Sequence, residues 1–134
     1  NDHGYVLCGD FAFMSVMRRA VLHAASQLEH LPEQGAWRQS FCFAADSAVF
    51  AGHFPGHPVL PAVVQVLMAQ VALEAIGQSV DLACVPQAKF LAPLGPDVDI
   101  LLTLSKGRRE GRWECTLHSG ETLAARIQVE VAAL

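Results

Sequence analysis

Charge is scarce in this chain. Charged side chains make up 16% of its 134 residues, and the net charge is −4. A chain without a basic surplus lacks the electrostatic footprint that nucleic acid demands, so nucleic acid is not an expected partner. The cysteines are only four, Cys8, Cys42, Cys84 and Cys115, with no C-x-x-C pair. That spacing excludes the common zinc sites, and no metal is expected. Cys42 and Cys115 fall inside apolar strand patterns, which predicts buried free thiols in a reducing compartment. The N-terminus lacks a basic stretch followed by an apolar run, so no signal peptide and a cytoplasmic location are expected. The apolar run from residue 62 to 77 is interrupted by Gln65, Gln70 and Glu74. It is too short for a comfortable membrane span and reads as a core helix.

What the chain has in excess is apolar surface: 52% hydrophobic residues and a mean hydropathy of +0.32. That is more than one small core needs, and it predicts self-association. The length fits a single domain over residues 1–134. Residues 1–34 are the least patterned. Phe11 to Leu31 reads as a helix with Arg18 and Arg19 exposed, or as a strand around Val21. Pro32-Glu33-Gln34-Gly35 is a turn signal. Trp37, Gln39, Phe41 and Phe43 then alternate with Arg38, Ser40 and Cys42, as a strand does.

Pro61 suits the first turn of a helix and Gly77 its end. Between them the residues are apolar on nearly all sides, which predicts burial on nearly all sides. The second half of the chain can wrap it. Val98–Leu104, Arg112–His118 and Thr122–Val131 each alternate with period two, and Ser119-Gly120 marks a hairpin. Ala83 to Leu91 adds a further candidate strand. The prediction is an α+β fold, an antiparallel sheet around one long central helix.

Before that helix stands Gly52-His53-Phe54-Pro55-Gly56-His57-Pro58-Val59-Leu60-Pro61. Prolines fix φ and glycines widen it, so the segment reads as a shaped loop presenting His53 at the mouth of the helix. Histidine suits proton transfer near neutral pH. By itself the pattern is equally a packed turn with an incidental histidine. His57 falls at the solvent-exposed side of the loop, Asp46 reads as a turn residue, and His3, His23, His30 and His118 have no constellation around them. Lys106, Arg108, Arg109 and Arg112 form a basic cluster, either a solvated loop or a contact for a phosphate.

This segment resembles the G-H-F-P-G-x-P-[VI]-x-P signature of the hotdog-fold β-hydroxyacyl-thioester dehydratases of the FabA/FabZ type. Met68-Ala69-Gln70 resembles the family's downstream M-A-Q, displaced by one residue, and Gln87–Leu94 resembles its post-helix strand. The resemblance implies a cytoplasmic hotdog homodimer or higher oligomer of fatty acid biosynthesis with sites at the protomer interface. It implies no cofactor beyond the phosphopantetheine arm of the substrate, carried by acyl carrier protein or coenzyme A. The implied reaction is loss of water from a 3-hydroxyacyl thioester to give the 2-enoyl thioester. His53 then matches the catalytic base. The Val59 carbonyl matches the group orienting its imidazole, and the Ala62 N–H matches the donor to the thioester carbonyl, where the family has glycine.

Leu67 departs from the family, which places an acid here from the partner protomer. Glu74 lies roughly 10 Å further along the axis at about 1.5 Å per residue, too far to substitute. Gln65 and Gln70 cannot supply a proton, and all three polar residues read as interface or strand contacts. Three functions follow. One is a dehydratase-like lyase using His53, with its acid relocated or supplied by an acid-bearing hotdog chain in a heterodimer. The second is a non-catalytic or partner-dependent acyl-thioester binder. The third is a thioesterase, which both the signature loop and Leu67 disfavour.

Overall fold

In the computed structural model of the chain, residues 3–51, 56–79 and 85–131 are described, with side chains from residue 12 onward. Helix α1 (His3–Ala24) leads into strands β1 (Glu29–Leu31) and β2 (Ala36–Phe41), then the central helix α2 (Ala62–Ala75). Strands β3 (Gln87–Phe90), β4 (Ile100–Lys106), β5 (Arg112–Ser119) and β6 (Thr122–Glu130) complete the chain. All six strands form one antiparallel sheet in the order β1-β2-β4-β5-β6-β3.

The period-two patterns produce this sheet. Leu104, Cys115 and Ile127 are cross-strand neighbours, as are Leu102, Leu117 and Ala125. All six are buried. These rows form an apolar face, and Val64, Leu67, Met68, Val71 and Leu73 of α2 join the same buried cluster. Such period-two faces bury their apolar side against a covering helix. A β-bulge between Leu117 and His118 shifts the β6 phase at its start. Ala124 is therefore buried while Leu123 is only half-buried, against the simple alternation. Val98 precedes β4 and is 37% exposed, so it does not extend the buried row.

The ambiguous N-terminal segment takes the helical alternative as far as Ala24, and a short strand follows only from Glu29. Val21 lies in the helix, not in a strand. Met17 and Val21, four residues apart and so on one face, are buried in the core cluster beside α2. Arg19 is exposed as expected, but Arg18 is half-buried and pairs with Glu74 on α2. The turn signal at 32–35 becomes a short 3-10 helix, Pro32–Gln34, closed by Gly35 at φ +62°. Glycine takes that left-handed conformation without a Cβ penalty.

Helix α2 begins one residue after Pro61, which serves as its N-cap, and Gly77 follows its end at φ +87°. It is not buried all round. Ala62 and Val63 are exposed, and Val66 and Gln70 are half-buried. Spaced at three and four residues, they form one stripe facing away from the core. Among the described residues no helix is long and apolar enough to cross a membrane.

Cys42 corrects an expectation. It is exposed, whereas Cys115 is buried. Phe41 and Phe43 both turn into the core, which leaves the side chain between them pointing outward. At Cys115, desolvation by burial pushes the thiol well above its ordinary range.

Candidate functional site

Three consecutive peptide units lead into α2, and each is oriented by hydrogen bonds. The Leu60 N–H donates to the Leu94 carbonyl at 2.7 Å. Because a trans peptide sets its C=O opposite its N–H, the Val59 carbonyl points away from Leu94. The Leu60 carbonyl accepts from Gln65 Nε2 at 3.1 Å. The Pro61 carbonyl accepts from the N–H groups of Val64 and Gln65, both at 3.1 Å. That carbonyl points into the helix, so the Ala62 N–H points out of its end. It belongs to the first turn, whose N–H groups have no partner within the helix and carry the positive end of the dipole.

Val59, Leu60, Ala62 and Gln65 line one side of a groove of about 290 Å³. Residues 90–93, from the end of strand β3 onward, line the other. The walls are apolar. Phe90 and Leu91 are 43% and 55% exposed, and Val63, next to Ala62 in the helix, is 39% exposed. The groove thus opens next to an uncovered apolar surface and beside the edge strand β3.

The structure brings Val59 and Ala62 together in this groove. His53 lies outside the described residues. The described residues resume at Gly56, and His57 is exposed. Leu67 does not line the groove. It is 2% exposed and belongs to the chain's own core. Counted back from Met68-Ala69-Gln70 instead of forward from His53, the acid position that the resemblance implies falls at residue 66. Val66 lies on the outward stripe, and it is apolar too.

The polar residues of α2 have separate employments. Glu74 holds Arg18, and Gln65 is buried with its amide on Leu60. Gln65 was legible only as a contact residue, since no spacing rule links a helical glutamine to a carbonyl five residues back. Asp46 lies in an exposed turn. His30 stacks on Trp37 with ring centroids 4.6 Å apart, and His23 is exposed on α1. The basic cluster forms the β4–β5 hairpin and shares no lining residue with the groove. Within it, Arg112 is committed to Glu130 at 3.4 Å. Among the described residues, no group of three His, Cys, Asp or Glu converges as metal ligands.

Comparison with known proteins agrees with this arrangement. The chain is 35% identical to the 3-hydroxyacyl-(acyl-carrier-protein) dehydratase FabZ of Ehrlichia chaffeensis, over 60% of this chain and 62% of that protein. It therefore spans a little over three fifths of that relative's length. Among solved structures it resembles the dehydratase heterocomplex ApeI:P from Xenorhabdus doucetiae. That match has a TM-score of 0.68 at 21% identity, over 81% of this chain and 96% of that one. The dehydratase domain of the polyketide PpsC from Mycobacterium tuberculosis matches at TM-score 0.64 and 18% identity, over 83% of this chain and 44% of that one. These two likenesses are of fold, the hotdog arrangement of an antiparallel sheet around a central helix. The model of the ApeI-like family, described as ApeI dehydratase, matches residues 29–127, from β1 into β6. By that match the chain belongs to the ApeI-like dehydratase family of hotdog proteins.

Proposed function

We propose that this chain supplies the base half of a 3-hydroxyacyl-thioester dehydratase site, completed by an acid from a second hotdog chain. The observation that carries the reading is the oriented pair of main-chain groups before α2. The Ala62 N–H points out of the helix end, and Ala62 lines the groove, so this donor is suited to stabilise the oxygen of a thioester as it gains charge. The Val59 carbonyl stands three residues earlier and is fixed through Leu60, suited to hold one tautomer of the His53 imidazole. The family membership and the FabZ relative support the same chemistry.

In this reading His53 takes a proton from C2 of the thioester, and the Ala62 N–H stabilises the enolate-like oxygen. The electrons then form the C2–C3 double bond as the C3–oxygen bond breaks. A proton from the acid completes the departing water. Neither Val66 nor Leu67 can give that proton. The similar Xenorhabdus structure is itself a dehydratase heterocomplex, which supports a partner of the same fold as the donor. The substrate arm is phosphopantetheine, on acyl carrier protein or coenzyme A.

Hydration of a crotonyl thioester, read by loss of enone absorbance, tests the proposal. The chain is assayed alone and with candidate acid-bearing hotdog chains, with His53→Ala alongside. The expected result is turnover that depends on His53 and rises with the partner. A shared site implies one working centre per pair, because the partner's own histidine faces an apolar residue here. Removing the acid contribution costs roughly 10²–10⁴-fold, so the lone chain is slow. Binding of an acyl thioester without turnover in any pairing favours the second reading, a non-catalytic binder, for which the two apolar acid positions are the supporting observation.

A further inference from the structure

We infer that Gln65 is a positioning residue that fixes the main-chain groups on either side of it, a role that rests on the function proposed above. Gln65 is 3% exposed on an otherwise apolar stretch of α2. Its Nε2 donates to the Leu60 carbonyl at 3.1 Å. A carbonyl can only accept, so the amide cannot be turned round. Its Oε1 is consequently left buried, without a hydrogen-bond partner among the described residues. An aliphatic side chain here would spare the fold that unmet acceptor, so a buried half-satisfied amide needs a reason.

The reason lies in the backbone before the helix. The Val59–Leu60 peptide is held through its N–H by Leu94, and the Pro61–Ala62 peptide is held through its carbonyl by the first helical turn. The Leu60–Pro61 peptide between them has no N–H, because residue 61 is proline. Its carbonyl is the one polar handle, and Gln65 holds it. Gln65 therefore grips two successive carbonyls, Pro61 with its main-chain N–H and Leu60 with its side chain. Without that second grip, the Val59 carbonyl and the Ala62 N–H are joined through an untethered plane.

The test compares wild type with Gln65→Met, which keeps length and volume but cannot hold the carbonyl. Three quantities are read: Tm, kcat and KM for enoyl-thioester hydration, and the His53 tautomer by nitrogen NMR. The nitrogen spectrum needs no partner chain. The expected result is a Tm equal to or above wild type. The kcat falls roughly 10²-fold, as for a small misplacement of reacting groups. KM changes little, and a single His53 tautomer gives way to a mixture. Unchanged kcat with one tautomer retained overturns the inference. So does a lowered Tm with activity lost only in proportion to unfolded protein, which marks Gln65 as structural. If wild-type His53 shows neither a preferred tautomer nor turnover, the proposed function itself fails, and this inference falls with it.

Discussion

The Leu60 N–H and the Leu94 carbonyl lie 2.7 Å apart, joining the segment before α2 to the segment after β3. Both side chains are buried in the core. The groove beside Ala62 exists because these two stretches are tied at this point. Leu94→Ala leaves a cavity under that tie, and such truncations cost about 2–5 kcal/mol. A urea titration should show the loss. A midpoint within error of wild type would mean that the two segments are held elsewhere.

Helix α1 is held on α2 by two kinds of contact with unequal weight. The Arg18–Glu74 pair is 40% and 33% exposed, so water screens it, and its removal should cost at most about 1 kcal/mol. Met17 is 6% exposed, and Met17→Ala should cost about 2–5 kcal/mol. Thermal or urea denaturation of the two variants should rank Met17→Ala well below Arg18→Ala. The reverse order would show that the ion pair, not burial, docks α1.

Leu67 and Val66, the two positions at which the proposed function lacks an acid, separate cleanly in stability. Leu67→Glu places a carboxylate in the core without a partner and should lower Tm steeply, since an unpaired buried charge is among the most damaging substitutions. Val66→Glu lies on the outward stripe and should leave Tm within a few degrees, a change of under about 1 kcal/mol. If a homodimer forms across that stripe, Val66→Glu should also raise hydration by the lone chain. A well-folded, more active Leu67→Glu protein would reverse this assignment.

The described cysteines should differ sharply in reactivity. Cys42 is exposed and should react with a thiol reagent in the folded protein. Cys115 is buried, its thiol kept neutral by desolvation, and should react only on unfolding. The same burial gives a pH dependence of defined sign. In the unfolded chain the Cys115 thiol titrates near its ordinary value of 9.0, while the folded chain keeps the proton. Stability is therefore fully present below that pH and declines as pH rises above it. Cys115→Val should flatten the decline in urea midpoint between pH 8 and 10. An equal slope in both proteins would assign the effect to other groups.

Much of this architecture could be read from the residues. Strands β4, β5 and β6 alternate with period two because one face meets α2, and that burial constraint writes itself directly into sequence. The limits of α2 were legible for a similar reason, since Pro61 and Gly77 act locally. Residues 3–24 were not, because among the described side chains of α1 only Met17 and Val21 are fully buried, while Phe13, Val16 and Leu22 stay exposed. Its apolar residues therefore carry no clean period. Cys42 misled because an apolar neighbourhood in sequence does not reveal which way a strand-end residue points. Of the candidate site, Val59 and Ala62 were singled out through the signature, while the Gln65–Leu60 contact depends on a fold across a helix start that no pattern encodes.

Every oriented group that Val59 and Ala62 offer the groove belongs to the main chain. A gene drifting at these two codons can change the size and shape of the groove without deleting an acceptor or a donor. Under the proposed function, selection for a longer, shorter or branched acyl chain can thus act on the side chains while the polar framework is inherited intact. Position 62 already illustrates the freedom, carrying a methyl where the signature that the chain resembles implies a glycine. Gln65 has no such latitude, because its contribution is made by a side chain.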